Sequence, residues 1–387
     1  TESTVNTAKY ESTFLVKKWI DFSGIVFDNK KRLRNQRKIK GTPDDSPELE
    51  VTMEKEEKKD ITIADVAEAL GVSKTTVSRA ISGKGRIGKE TRKRVMEYIE
   101  EHDYKPNAIA KGLAQSKTYN ICVVMPRDYE VVDWNFFQRC LFGIQEMAET
   151  VGYDILLTMC QMNDISSLER IVANHKVDGV ILMRTFLEDA QIEFLQQKNI
   201  PFVTTGSTNY EGVIQIDHNH RSACRELTSI ILMKNLKRIA LIGEDEGYMV
   251  THSRLLGFRD AYEQQGETLD ENLLYLSPEN RVRVDRTVKE ILEQNVDCIL
   301  CMDDAVTSRV LKVLREQHVR VPQDVRVASF YDSTILENHV PSITSLAFDA
   351  KELGKVACRT LLDLVEGLEV KQKTLLPYEV VLKESTK

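Results

Sequence analysis

Apolar residues recur every three or four positions between residues 61 and 102, but from residue 119 they come in short unbroken runs. The two rhythms divide a helical head from an alternating body. In ITIADVAEAL, Ile63, Val66, Ala67 and Leu70 fall at i, i+3, i+4 and i+7, one apolar stripe on a helix. Thr62 is placed to cap its start, with Asp65 three residues on to complete the reciprocal pair. Gly71 is expected to end it, since a sharp turn after Leu70 needs positive φ. Ser73 then caps a second helix that buries Val77 and Ile81 and leaves Lys74, Thr75, Ser78 and Arg79 outward. A third helix is expected from Lys89 to about His102. Two short helices at a tight turn, the second with polar tips, make a shape that the DNA major groove admits.

The body reads differently. Strands are expected at 119–126, 153–160, 178–183 and 201–206, with helices near 136–151, 166–175 and 188–198 between them. The rhythm resumes with strands at 238–244, 297–303 and 325–330 and helices near 219–234, 251–265, 285–295 and 304–317. Alternation of this spacing predicts parallel sheets with helices on both faces. Two such runs predict two lobes, with a ligand between them at the carboxyl ends of the strands.

Charge sharpens the division. The chain carries a net −7, yet residues 60–118 hold 11 Lys/Arg against 8 Asp/Glu and residues 1–59 hold 13 against 11, leaving −12 on 119–387. A basic head on an acidic body points the head at phosphates. Residues 1–59 pair a mildly apolar FLVKKWIDFSGIVF with a basic KKRLRNQRKIK and a polar linker, and are expected to be a poorly ordered extension. Seven cysteines, mostly in apolar runs, suit reduced thiols in a cytosol. No apolar run reaches the length of a membrane span, and no secretory signal is read.

Several motifs lose their chemistry in context. Gly83-Lys84-Gly85-Arg86-Ile87-Gly88 matches the dinucleotide GxGxxG string but joins two helices, where that motif needs a preceding strand. Cys298-x-x-Cys301 has redox or zinc spacing but lies in a buried-strand pattern without a second pair. Asp217-His218-Asn219-His220 hints at a metal, yet it sits where a strand ends and a helix begins, a place for capping residues. No GxSxG elbow, Walker string or HExxH is present, so neither an enzyme, a cofactor nor a metal site is expected.

The order TIADVAxxxGVSxxTVSRxIS, GKGRIGxETRxRV and YxPNxIAxxLAxxxT resembles the headpiece and hinge of the lactose-repressor (LacI/GalR) family of bacterial transcription regulators, and the likeness spans about residues 61–387. The resemblance implies an α plus α/β fold: a three-helix helix-turn-helix headpiece at 60–106 and a hinge helix at 107–118. A two-lobed periplasmic-binding-protein-like core with parallel sheets would occupy 119–387. The chain would cross between the lobes three times, the first lobe comprising about 119–217 and 346–374. DNA contacts would fall to Lys74, Thr75, Thr76, Ser78 and Arg79. In the hinge they would fall to Asn107, Ile109, Ala110 and Leu113, with Leu113 the minor-groove wedge. A hinge of barely two turns containing Gly112, which costs about 1 kcal/mol in a helix interior, should not persist alone, as a switch requires.

In the core, Arg254 matches the family's effector-contacting arginine, and Trp134, Phe136 and Phe137 stand where the family packs aromatics on sugar or base rings. Phe136 would serve equally as core, and Phe137 less so. Met302-Asp303 replaces a common Asn-Asp, and Tyr331 stands where many members have an effector-gripping Asp, with Asp332 one residue away. The cleft should therefore suit an effector with a ring face and an oxygen-rich edge, such as a glycoside, a modified sugar or a nucleoside. The expected protein is a cytoplasmic homodimer that binds a pseudo-palindromic site on double-stranded DNA. It would repress a carbohydrate or related catabolic operon under control of a small molecule. The alternatives are a solute-binding receptor-type module and a regulator controlled by a protein partner.

Overall fold

The computed structural model describes residues 61–83, 85–105, 112, 115–127, 135–277 and 280–387. The expectations for residues 1–59, for Asn107, Ile109, Ala110 and Leu113, and for Trp134 fall outside them.

Thr62 opens α1 (Ile63–Leu70) through a reciprocal cap. Its backbone N–H donates to Asp65 Oδ2 at 2.8 Å while its Oγ1 accepts from Asp65 N at 3.4 Å. Gly71, at φ 64°, turns the chain in the left-handed region that a side chain would resist. Ser73 Oγ accepts from Thr76 N at 3.1 Å and starts α2 (Lys74–Ser82). The third helix, α3, is Lys89–Glu101. Val66, Ala67, Val77, Ala80 and Val95 form the small apolar centre. Ile81, expected inside, is only half-buried, because Ala80, one helical step round from Val77, takes the inward direction. The GKGRIG glycines follow a helix, as the loop reading requires, with Gly83 closing α2 at φ 71°.

The core strands are β1 (Asn120–Pro126), β2 (Asp154–Cys160), β3 (Gly179–Leu182), β4 (Phe202–Thr205) and β5 (Ile214–His218). Between the first four lie α4 (Asn135–Glu149), α5 (Ser166–Ala173) and α6 (Ala190–Gln197). The second series runs α7 (His220–Met233), β6 (Ile239–Gly243), α8 (Met249–Gln265), β7 (Leu274–Leu276), α9 (Asn280–Glu293), β8 (Cys298–Cys301), α10 (Asp304–Glu316) and β9 (Arg326–Ser329). After a short turn of helix come β10 (Thr344–Phe348), α12 (Ala350–Val365, counting that turn, Thr334–Glu337, as α11), β11 (Lys373–Leu376) and β12 (Tyr378–Val381). One six-stranded sheet has the order β11-β5-β4-β3-β1-β2, the other β12-β10-β9-β8-β6-β7. Every pairing is parallel except β10 with β12.

Sheet membership puts the three passages between lobes at 218–220, 348–350 and 376–378. The first lobe is therefore re-entered after Phe348 and left after Leu376. The expected bounds of 346 and 374 each fall inside a strand, since Thr344–Phe348 pairs in the second sheet and Lys373–Leu376 in the first. Each lobe holds a helix pair at close range. A Cβ on Gly143 of α4 would collide with the Lys351 carbonyl of α12, and one on Gly257 of α8 with the Arg221 carbonyl of α7. Only glycine permits such an approach. Cys298 faces one side of its sheet and Cys301 the other, each in a different apolar cluster, so the pair cannot act as a CxxC unit. Among the described residues no helix is long and apolar enough to cross a membrane.

Candidate functional site

Two surfaces carry the candidate residues, and they differ in kind. On α2, Lys74, Thr75, Ser78 and Arg79 are exposed while Val77 and Ala80 are buried behind them. The helix is short but fixed at both ends, by Ser73 and by Gly83. Thr76 is half-buried, and its hydroxyl lies 2.9 Å from Ser73 Oγ within the cap. The stem of Arg79 runs past Gly85, where an added Cβ would stand 3.3 Å from its Cδ.

The second surface is a cavity of about 120 Å³ between the lobes, reached by the carboxyl ends of β3, β4, β5, β6, β8 and β9. All six core residues proposed from the sequence line it. Phe136 meets Phe137 edge-on at 5.4 Å and Tyr331 at 5.7 Å, and packs against the apolar cores of both lobes. Tyr331 is buried, its ring parallel to Phe348 at 6.3 Å, and its hydroxyl has no hydrogen-bond partner. Burial raises that phenol's pKa, so it stays protonated.

Arg254, 8% exposed, gives Nη1 to the Met302 carbonyl and leaves Nε without a partner. Both residues belong to the second lobe, so this bond does not tie the lobes together. Asp303 is used elsewhere: its Oδ1 accepts from Val306 N at 2.8 Å and caps α10. Asp304 beside it is pushed up to about 6 by burial, with the Asp303 charge adding to the effect. Asp332 does not turn toward this cavity; it pairs with Lys383 at 3.0 Å and lines a different groove.

The cavity also gathers groups that the sequence reading passed over. Asp217 and His220 are there, from the string read as capping residues; Asn219 does cap α7, while Asp217 and His220 line the cleft. His220 Nε2 lies 3.4 Å from Asp217 Oδ1, and His220 Nδ1 is buried without a partner. Burial works against the Asp217 charge, yet His220 and the N–H groups of Ser207 and His218 hold its carboxyl below the usual range. Arg184 lies 4.5 Å over the Tyr248 ring and 5.7 Å from Phe137, a cation–π arrangement. Their common signal was position, since each stands at a strand's carboxyl end or opens the next helix.

Opposite the three passages the lobes meet again. Met249 N donates to Thr185 O at 3.1 Å, Leu187 N donates to Gly247 O at 2.9 Å, and the Phe186 and Tyr248 rings lie 5.7 Å apart. These two backbone bonds form a latch that joins the lobes beside the cavity.

Residues 62–107 match the family of bacterial regulatory proteins, lacI family, and residues 231–386 match the periplasmic binding protein-like domain. Catabolite control protein A of Staphylococcus xylosus is 26% identical over 332 residues, covering 84% of this chain and 99% of that protein. Among solved structures, a transcriptional regulator CelR–cellobiose complex is 26% identical with a TM-score of 0.64, covering 84% of this chain and 99% of its own. The lac repressor dimer bound to operator and the anti-inducer ONPF shares the fold, with a TM-score of 0.72 at 22% identity over 85% of this chain and 99% of its own.

Proposed function

This chain belongs to the lacI family of bacterial regulatory proteins, and we propose that it is a DNA-binding repressor of a carbohydrate operon, switched by a sugar-like molecule in the inter-lobe cleft. Family members of this kind are regulators and not enzymes. The protein acts in the cytoplasm as a homodimer, since a pseudo-palindromic operator presents two half-sites to two headpieces. Lys74, Thr75 and Arg79 reach base edges, and Thr76 and Ser78 contact phosphates. Asn107, Ile109, Ala110 and Leu113 face the minor groove, with Leu113 wedged between base steps.

The observation that carries the switch is the cavity itself. Three buried polar atoms, Arg254 Nε, Tyr331 Oη and His220 Nδ1, surround it with no hydrogen-bond partner among the described protein groups. Buried polar groups are nearly always satisfied, so such a set awaits a ligand. Phe136 and Phe137 add a face for a ring.

The test is titration calorimetry of the full chain with monosaccharides, disaccharides, glycosides and nucleosides, with operator binding followed by fluorescence anisotropy. One member is expected to bind and to change operator affinity. No binding by any of them, with operator affinity unmoved, would sink the small-molecule switch and favour control by a protein partner.

A further inference from the structure

His218 and His220 flank the first passage between the lobes, and only one of them faces the cavity. His218 Nδ1 lies 3.0 Å from the Pro377 carbonyl at the third passage, and burial pushes this imidazole down to about 4, so it is neutral and structural. His220 is 7% exposed and is fixed on two sides. The Phe348 ring packs against it at 4.8 Å, and Asp217 Oδ1 stands 3.4 Å from its Nε2. A carboxylate facing a ring nitrogen requires the proton on that nitrogen, because two lone pairs would otherwise oppose each other. Burial keeps the ring neutral against the pull of Asp217. One proton on Nε2 leaves Nδ1 bare: a buried acceptor at the cavity wall with nothing to accept from.

The other two unsatisfied groups have the opposite character. Arg254 Nε–H is a donor only, and Tyr331 O–H is a donor first. A ligand oxygen without a proton would satisfy those two and leave His220 idle. We propose that His220 sets effector specificity by accepting a hydrogen bond from a free hydroxyl of the effector, with Asp217 as the positioning residue that fixes its tautomer. The effector is then a polyol whose hydroxyl facing His220 must be unsubstituted, while a neighbouring oxygen accepts from Arg254. This rests on the reading that the cleft holds a sugar-like molecule.

Two measurements on the full chain test it. In ¹⁵N-histidine NMR, His220 is expected as a single tautomer protonated at Nε2, and Asp217→Asn should turn it into a mixture. A proton found on Nδ1 in the wild type overturns the proposal without reference to any ligand. In the second, operator release is titrated with a panel of free pentoses, free hexoses and cellobiose. The sugar that acts on the wild type should need about 10- to 100-fold more on His220→Leu, which has no acceptor. His220→Asn places a carbonyl oxygen where Nδ1 stood and should stay within a few-fold of wild type. O-methylating the donating hydroxyl should weaken the wild type and not the leucine variant, as expected of a coupled pair. Equal response in wild type and His220→Leu removes His220 from recognition and leaves the sugar switch standing. A wild type deaf to the whole panel, with His220 signals unmoved, removes the sugar reading and this proposal together.

Discussion

The headpiece and the cleft present their polar groups in opposite ways. On α2 the side chains proposed to meet DNA are exposed to water, over a centre of small apolar residues. Around the cavity one polar atom each of Arg254, Tyr331 and His220 is buried without a partner among the described protein groups. An unsatisfied buried donor or acceptor costs about 1–3 kcal/mol. The headpiece therefore holds its recognition groups at almost no expense in stability, while the cleft keeps polar groups that only a partner entering the cavity can satisfy. Exposed groups govern affinity for a partner that is always available; buried groups make the protein respond to one that comes and goes. Substitutions should divide along the same line.

The largest effect expected is on the cleft side. Arg254→Ala removes a cavity-lining guanidinium whose Nε has no protein partner, and should weaken effector binding by about 3 kcal/mol, more than a hundredfold. In the ligand-free protein it removes one bond to the Met302 carbonyl and one buried, unsatisfied donor, two changes of opposite sign. The thermal midpoint of the free protein should hold. Calorimetry with the active sugar and a melt of the free variant check both halves. A lowered midpoint with affinity preserved would make Arg254 a structural residue and erase the contrast.

Next comes the headpiece. Arg79→Ala should cost about 1–3 kcal/mol on the cognate operator and relax preference at one base pair, with little change on random DNA. Effector affinity should stay as it was. Equal losses on cognate and random DNA, read by anisotropy at fixed salt, would reassign Arg79 to the phosphate backbone.

The two regions also differed in how well they could be read from residues alone. Headpiece determinants are local: Thr62 and Asp65 are three residues apart, Gly71 follows the helix it ends, and the apolar stripe lies within eight residues. In the core, buried runs such as those at 119–126 and 297–303 stand out as strands because every residue in them is apolar or flanks a turn. β11 and β12 do not, since each is a sheet edge with its side chains half in water. β10 was missed because polar Thr344 and Ser345 lie inside the fold, where Ser385, Thr386 and the strand's own backbone satisfy them. The cleft is hardest of all. Asp217 and Asp303 both precede a helix, yet one faces the cavity with a histidine and the other is taken up by a cap. Nothing in the local sequence separates the two roles, because the groups that decide it arrive from other strands.

The smallest effect expected concerns what keeps the cleft shut, and it isolates a single bond. Met249 is the first residue of α8, and its N–H reaches across to Thr185 O of the other lobe. Proline is favoured at a first helical position, where the N–H has no partner within its own helix. Tyr248 before it sits at φ −80° and ψ 127°, the extended region that a following proline demands. Met249→Pro should therefore leave α8 intact and delete only the latch donor. Met249→Ala makes the same loss of side chain, which is buried, while keeping the N–H, so the difference between the two variants reports the bond. An ordinary hydrogen bond contributes about 0.5–1.5 kcal/mol net. If the effector binds the closed cleft, the proline variant should bind it roughly fivefold more weakly than the alanine variant. Fluorescence energy transfer between labels on the two lobes should show a wider mean separation in the free proline variant. Identical affinities and separations in the two variants would show that the Met249–Thr185 bond contributes nothing to closure. The lobes would then be held by the Leu187–Gly247 bond, the Phe136–Tyr331 contact and the three passages.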